Sequence, residues 1–292
     1  METTGTIIKG VGGFYTVLTD EKPIVCKARG IFRKNNKKPY VGDLVSISIP
    51  ENPDEEGMIE QILPRKNTLL RPPVANISQI ILVFSYYSPS LNEDLLNKML
   101  LQCEHIAVRS VICINKSDLI TDEEKQRIEE MFRGTDYPIR YTSVLEEDGL
   151  DDLKELLSGE VTVFSGPSGT GKSSLLKKIL PTKSIEIGEL SRKGNRGKHT
   201  TRHVELFRIE EESFVADTPG YGNIENLNMM SDALKDLFPE FDKYRQDCRF
   251  NGCNHINEPG CEVKNQVGTA ISPRRYDFYK RYYEEIKRQE RW

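Results

Sequence analysis

Gly166-Pro167-Ser168-Gly169-Thr170-Gly171-Lys172-Ser173 matches G-x-x-x-x-G-K-[ST] at every fixed position. Glycines at these places let backbone N–H groups wrap phosphates, and a helix opening behind them adds its positive dipole end. The Lys172 ammonium would reach a β- and a γ-phosphate, and the Ser173 hydroxyl would ligate Mg²⁺. The apolar run Val161–Ser165 and the helical pattern Ser174–Ile179 supply the strand and helix that such a loop needs. A chance glycine-rich turn would not carry both flanks.

Asn115-Lys116-Ser117-Asp118 follows a second apolar run, Val111–Ile114, and has the form N-K-x-D. A carboxylate at Asp118 can accept from the N1–H and exocyclic amine of guanine. Adenine offers no such donor pair, so a buried carboxylate facing it would be left unpaired. The Lys116 stem can pack over the ring. Four residues after a strand are more often a plain loop; beside a phosphate loop they indicate GTP and GDP as ligands. Ser143, closing the run Ile139–Ser143, is expected to assist at the guanine O6, and Ser174 extends the phosphate-binding stretch.

Asp217-Thr218-Pro219-Gly220 fits D-x-x-G, in which Asp217 would hold Mg²⁺ through water and the Gly220 N–H would sense the γ-phosphate. Gly197-Lys198-His199-Thr200-Thr201 lies where a first switch should give Mg²⁺ a threonine; Thr201 is expected, with Thr200 as its alternative. Tyr221 stands where Ras-like enzymes have the glutamine that orients water. The catalytic candidates are therefore Lys172, Thr201 and His199, although a loop histidine can equally be merely solvated. Slow intrinsic turnover, raised by a partner, is the expectation.

The order of these motifs is unusual. Asn115–Asp118 precedes Gly166, whereas an ordinary GTPase has its phosphate loop first. A cyclic shift keeps the three-dimensional site, since termini are surface features that can be rejoined. It also places the second switch directly before the carboxyl-terminal segment.

That segment holds Cys248-x4-Cys253-x-His255-x5-Cys261, three thiolates and one imidazole, a set suited to one tetrahedral Zn²⁺ per chain. Reduced surface thiols are the alternative, but such a cluster would be oxidation-prone unless bound. With four ligands present and no open position, the expected site is structural, which argues against a zinc enzyme. Cys26, Cys103 and Cys113 are scattered and read as ordinary thiols rather than a disulfide framework.

The elements around these residues divide the 292-residue chain into three expected domains. Residues 1–65 show five short β-runs (Gly5–Lys9, Phe14–Leu18, Ile24–Ala28, Leu44–Ile49, Gly57–Ile62), as in an OB-type barrel. A barrel without a ligand fits as well. Residues 66–225 alternate strands (Ile80–Phe84, Val111–Ile114, Ile139–Ser143, Val161–Ser165) with helices (Asn92–Ile106, Asp122–Phe132, Leu150–Leu157). A further strand pair, Val204–Ile209 and Phe214–Asp217, completes an α/β domain with a mostly parallel sheet. Residues 226–292 form an α-rich metal-binding tail ending in a helix near Pro273–Arg291.

A net charge of -4 does not mark the whole chain as a nucleic-acid binder. Basic runs are local: Lys27–Lys38, Ser191–His203, and Arg274, Arg275, Lys280 and Arg281 among the tyrosines of the last helix. Together they suggest a multi-point RNA contact through phosphates and stacking. No apolar run approaches a bilayer span, and the amino-terminal residues lack a signal-peptide pattern, so a cytoplasmic, membrane-free protein is expected. A monomer is expected.

With its motifs placed, the chain closely resembles the bacterial ribosome small-subunit-dependent GTPase family known as RsgA, YjeQ or YloQ. The resemblance rests on GPSGTGKS, NKSD, GKHTT, DTPG and the Cys-His tail, and spans the whole length. It implies GTP hydrolysis in late maturation of the small (30S) ribosomal subunit, contact with 16S rRNA, and stimulation by that particle. Thr142-Ser143-Val144 departs from the Ser-Ala of many members. A nucleotide-switched RNA-binding module with little catalysis is the competing reading, suggested by Tyr221.

Overall fold

The computed structural model describes residues 2–30, 32, 38–50, 52, 55–70, 73–180, 204–210, 212–217 and 229–290. Five strands, β1 (Glu2–Val11), β2 (Phe14–Leu18), β3 (Pro23–Ala28), β4 (Leu44–Ser48) and β5 (Gly57–Ile62), close a barrel in the order β1-β2-β3-β5-β4. Alternation decides which side chains fill it: Ile7, Val17, Cys26, Val45, Ile47 and Ile59 point inward and are fully buried. Lys27 and Arg29, from the first basic run, pair on the outside with Glu56 and Glu60. A short hairpin, β6 (Thr68–Leu70) with β7 (Pro73–Ala75), was not expected from the sequence. It packs on the barrel through the Ala75 N–H, which donates to Val41 O at 2.8 Å.

The central sheet contains β8 (Gln79–Ser85), β9 (Arg109–Asn115), β10 (Ile139–Thr142), β11 (Val161–Ser165), β12 (Leu206–Glu210) and β13 (Ser213–Asp217). Their order is β10-β9-β8-β11-β13-β12, parallel throughout except β12, which pairs antiparallel with β13. Helices α1 (Glu93–His105), α2 (Asp122–Met131), α3 (Leu150–Glu155) and α4 (Lys172–Ile179) cover it. Every residue of β8 is buried, as a strand covered on both faces requires. Its Ile80, Leu82 and Phe84 join the cluster of α1 and α2, whereas Ile81 and Val83 join that of α3 and α4. Asn92 caps α1 by accepting from the Leu95 N–H at 2.9 Å, and Thr121 with Glu124 forms a capping box on α2. From β8 the chain moves outward through β9 and β10, then returns to β11 on the other side of β8. That reversal creates a crevice at the carboxyl ends of β8 and β11, where open α/β sheets bind ligands.

The tail runs through 3₁₀ turns at Ser231–Leu237, Pro239–Phe241 and Arg245–Asp247 into α5 (Glu262–Asn265) and α6 (Pro273–Gln289). Here the structure corrects one expectation. The tyrosines of α6 are not an exposed stacking platform: Tyr276, Tyr279, Tyr282 and Tyr283 are buried with Phe238 and Phe241 in the tail's own core. Its basic residues are likewise engaged. Arg275 is fully buried against Glu240, while Arg274, Lys280 and Arg281 pair with Glu93, Asp277 and Asp94. Among the described residues no helix is long and apolar enough to cross a membrane.

Candidate nucleotide site and metal centre

Gly166–Ser173 bridges the end of β11 and the start of α4. Two of its glycines are obligatory for physical reasons. A Cβ on Gly166 (φ 142°) would lie 2.1 Å from Val83 O, and one on Gly171 (φ 90°) would lie 2.3 Å from Asn115 Nδ2. Lys172 is buried, and its ammonium donates to Gly166 O at 2.7 Å and Pro167 O at 2.6 Å, so the side chain folds back over the loop. Ser173 and Ser174 are exposed at the helix start, and Thr170 is buried.

The loop after β9 lies directly on this cradle. Asn115 Nδ2 donates to Thr170 O at 2.8 Å, and Lys116 Nζ donates to Gly169 O at 2.9 Å and to Ser88 O at 2.5 Å. Lys116 adopts a left-handed conformation (φ 63°) that turns the chain into the short 3₁₀ segment Ser117–Leu119. Asp118 is exposed, and its Oδ1 accepts from Ser143 Oγ at 2.5 Å. Thr142 Oγ1 donates to Asn115 Oδ1 at 3.1 Å, which aims the amide of Asn115 at the phosphate loop. Below it, burial pushes the Cys113 thiol up to about 11, so this residue is an inert neutral thiol.

Residues 115–118, 142–143 and 166–173, distant in sequence, thus meet at one edge of the sheet. Asp217 ends β13 in register with Phe164 of β11, so its backbone reaches the same edge. The side chain of Asp217, and residues His199, Thr201 and Gly220, lie outside the described residues. Two contributors had no motif to reveal them: Thr142, and the carbonyl of Ser88 in the β8–α1 loop.

In the tail, the donor atoms of Cys248, Cys253, His255 and Cys261 all lie within 4.8 Å of one another. His255 Nδ1 is 3.6 Å from Cys248 Sγ and 3.4 Å from Cys261 Sγ, and those two sulfurs are 3.9 Å apart. One tetrahedral ion with metal–sulfur bonds of about 2.3 Å sets its sulfurs about 3.8 Å apart, so the residues fit a single bound metal. Burial lowers the His255 imidazole to about 4 and raises the Cys261 thiol to about 12. Protonated thiols packed this closely gain little, whereas a cation would favour their thiolates. The ligand loop is well anchored. Burial works against a charge on Glu258, yet N–H groups of Asn254, Ile256 and Asn257 hold its carboxyl below the usual range. The Tyr276 hydroxyl donates to His255 O at 2.7 Å.

The family described as RsgA GTPase matches residues 62–227, and the RsgA N-terminal domain matches residues 4–59. The chain belongs to the RsgA GTPase family. A relative from Clostridium perfringens (strain ATCC 13124), named small ribosomal subunit biogenesis GTPase RsgA, is 46% identical over 283 residues, 97% of either chain. A relative of the same name from Clostridium kluyveri (strain NBRC 12016) is 43% identical over 99% of either chain. Among solved structures, YloQ, described as a circularly permuted GTPase, superposes with a TM-score of 0.82 and 37% identity over 99% of this chain and 96% of its own. YjeQ from Thermotoga maritima gives 0.83 and 34% over 98% and 99%. This RsgA-family chain is therefore a GTP hydrolase with a permuted α/β domain, an amino-terminal closed barrel and a Cys₃His tail.

Proposed function

We propose that this GTPase acts in late maturation of the small ribosomal subunit, binds its 16S rRNA, and is stimulated by the particle. The names of its relatives support the process. The observation that carries the nucleotide placement is the contact of the Asn115–Asp118 loop with Thr170 O and Gly169 O of the phosphate loop. That contact supports a reading in which a guanine reader and a phosphate cradle hold the two ends of one GTP.

In this reading Asp118 accepts from the guanine N1–H and amine, with Ser143 orienting its carboxylate and the Lys116 stem covering one face of the ring. Asn115 ties the two loops together. Backbone N–H groups of Gly166, Ser168, Gly169, Thr170 and Gly171, with Ser173 and Ser174 at the helix start, surround the phosphates, and Pro167, which has no N–H, shapes the turn of the loop. Lys172 meets the β- and γ-phosphates, where an ammonium stabilises charge that grows during transfer. Ser173, Asp217 and Thr201 would hold Mg²⁺, which neutralises phosphate charge when bound, and the Gly220 N–H senses the γ-phosphate. His199 positions the attacking water in place of the glutamine that Tyr221 replaces. The Cys₃His site holds one structural Zn²⁺, supported by its donor spacing. The protein works in the cytoplasm, where its substrate particle is assembled.

GTP turnover measured with and without purified small subunits tests the whole reading, and a sharp rise is expected. Flat turnover together with nucleotide-dependent RNA binding would instead favour the switched RNA-binding module that Tyr221 suggests. Lys172→Ala should abolish turnover, and Asp118→Asn should move preference from guanine toward xanthine nucleotides.

A further inference from the structure

Residues 86–90, the loop between β8 and α1, match no nucleotide motif, yet they stand against the phosphate cradle at two points. The Lys116 ammonium donates at once to Ser88 O and to Gly169 O, so it ties this loop to the cradle. Beside that tie, a Cβ on Gly169 would lie 3.6 Å from Pro89 Cδ, in van der Waals contact. The ammonium has a fixed place only if both carbonyls have one. Gly169 O belongs to the cradle, whereas Ser88 O belongs to an exposed loop and needs supports of its own.

Those supports are specific. Ser85 Oγ donates to Pro89 O at 2.7 Å, and the Leu91 N–H donates to Tyr86 O at 3.0 Å. The Tyr86 ring packs on the cluster of α1 and α2 and meets the Tyr87 ring edge-on, with centroids 4.9 Å apart. Tyr87 is 53% exposed, so burial does not explain its place. Its hydroxyl donates to Glu124 in the first turn of α2. Both oxygens of that carboxylate are used: Oε1 accepts from Tyr87, and Oε2 accepts from the Thr121 N–H at 2.9 Å in the capping box. The helix they start follows directly on the Ser117–Leu119 turn. A ring therefore closes, from Lys116 to Ser88, from Tyr87 to Glu124, and along the chain back to Lys116.

We propose that Tyr87 and Glu124 are positioning residues: their hydrogen bond holds Ser88 O where Lys116 can brace the phosphate loop before a nucleotide arrives. This rests on the phosphate-loop reading above. A loop braced in advance loses less conformational freedom on binding, so the pair adds affinity without touching the nucleotide. Its effect falls on binding and not on the chemical step.

The test measures GDP affinity, and KM and kcat for GTP, in the full chain and in Tyr87→Phe, Tyr87→Ala and Glu124→Gln. Tyr87→Phe is then repeated in a Lys116→Met background. Tyr87→Phe should weaken GDP about three- to fivefold, or about 0.6 to 1 kcal/mol, and raise KM alike while kcat holds. Tyr87→Ala should lose more. Glu124→Gln, which can still accept from the phenol and from Thr121, should retain most of the affinity. With Lys116→Met in place, Tyr87→Phe should add nothing, because the brace it serves is gone. Because Tyr87 is exposed, Tyr87→Phe should not move the thermal midpoint of the nucleotide-free protein. GDP affinity within about 1.5-fold of the parent for both tyrosine variants overturns the proposal. So does an undiminished loss in the Lys116→Met background, or a fall in kcat with KM unchanged. Lys172→Ala is measured alongside: weakened GDP there with silent tyrosine variants sinks only this proposal, whereas normal GDP binding sinks the phosphate-loop reading beneath it.

Discussion

At the amino-terminal end the barrel and the central sheet share one apolar cluster, in which Ile7, Val17 and Ile47 are continuous through Val41, Leu69 and Val74 with Ile80 and Leu82. At the carboxyl-terminal end the tail keeps a core of its own, to which the central domain contributes Leu101. The tail is joined through polar groups. Arg275 Nη1 donates to Asn97 Oδ1 of α1 at 2.7 Å, Arg281 forks onto Asp94 at 2.8 and 2.9 Å, and Arg274 reaches Glu93 at 2.6 Å. Apolar contact is non-directional and tolerates small sliding, whereas a planar guanidinium is satisfied in one orientation only. The two junctions therefore differ in kind. The tail's angle on α1 is specified by several guanidinium contacts. The barrel's contact is mostly apolar, with the Lys9–Glu205 pair at 3.1 Å and the Ala75 N–H to Val41 O bond at 2.8 Å among its directional ties.

The largest effect should come from the metal. Cys253 and Cys261 belong to the same cluster as Phe241 and Tyr279, so losing the proposed ion would remove a tie inside the tail core. Structural zinc contributes about 10–16 kcal/mol in isolated finger peptides, more than a small aromatic core can replace. Chelation, or Cys253→Ala, should cost the tail its amide-exchange protection while the barrel keeps its own. Metal analysis should find about one zinc per parent chain and none in the variant. Equal loss in barrel and tail would show one cooperative unit and break the comparison.

Next comes the ion pair inside the tail. Arg275 and Glu240 are both fully buried and joined at 2.8 and 3.2 Å. Arg275→Ala strands a buried carboxylate and should destabilise the protein by about 3–5 kcal/mol in denaturant unfolding. Replacing both partners, Arg275→Met with Glu240→Leu, should restore most of that loss, because the charge and its desolvation cost leave together. A double variant as weak as the single one would mean the pair has a role beyond its own neutralisation.

This pair also marks where the sequence stops being legible. The barrel strands show because inward residues alternate, and the parallel strands show as unbroken apolar runs. The phosphate loop, the N-K-x-D loop and the D-x-x-G loop could be read because a strand precedes each of those three. In α6, however, arginines interleave with tyrosines, and a charged helix suggests a surface. Helical period gives the opposite answer: Arg275 lies four residues before Tyr279 and on the stripe that continues to Tyr282 and Ile286. Its partner Glu240 is 35 residues away, so no local pattern announces the pair. The β6–β7 hairpin was hidden by Pro73, which resembles linker sequence although proline is tolerated at a strand's first residue. At the nucleotide site, the Ser88 carbonyl that receives Lys116 has no side-chain signature at all.

Asn97 tests the joint itself. Asn97→Ala leaves one Arg275 N–H unpaired in a buried place, for a loss of about 1–3 kcal/mol. The tail should then loosen from α1 with its own core intact, seen as increased exchange in α1 and α6 but not around the metal. Loss of protection at the metal loop as well would mean that docking and tail folding are inseparable.

The rim pairs should contribute least. Arg281 holds the Asp94 carboxyl below the usual carboxylate range, first through their hydrogen bonds and then through charge, with burial opposing. A carboxyl lowered on folding stabilises the native state above its unfolded value, about 3.9, and that contribution disappears as pH falls through the lowered one. Both side chains are largely solvated, so screening keeps the contribution under about 1 kcal/mol. A double-mutant cycle of Asp94→Asn and Arg281→Gln cancels the acid sensitivity of the metal ligands, which all four proteins share. Its coupling energy should be near 0.5 kcal/mol at neutral pH, shrink in about 1 M salt, and fall away as the pH drops through the lowered Asp94 value. Coupling that persists in acid would mean Arg281 holds α1 by packing its stem against Phe278 rather than by charge, and the tail junction would then resemble the barrel's more than its ion pairs imply.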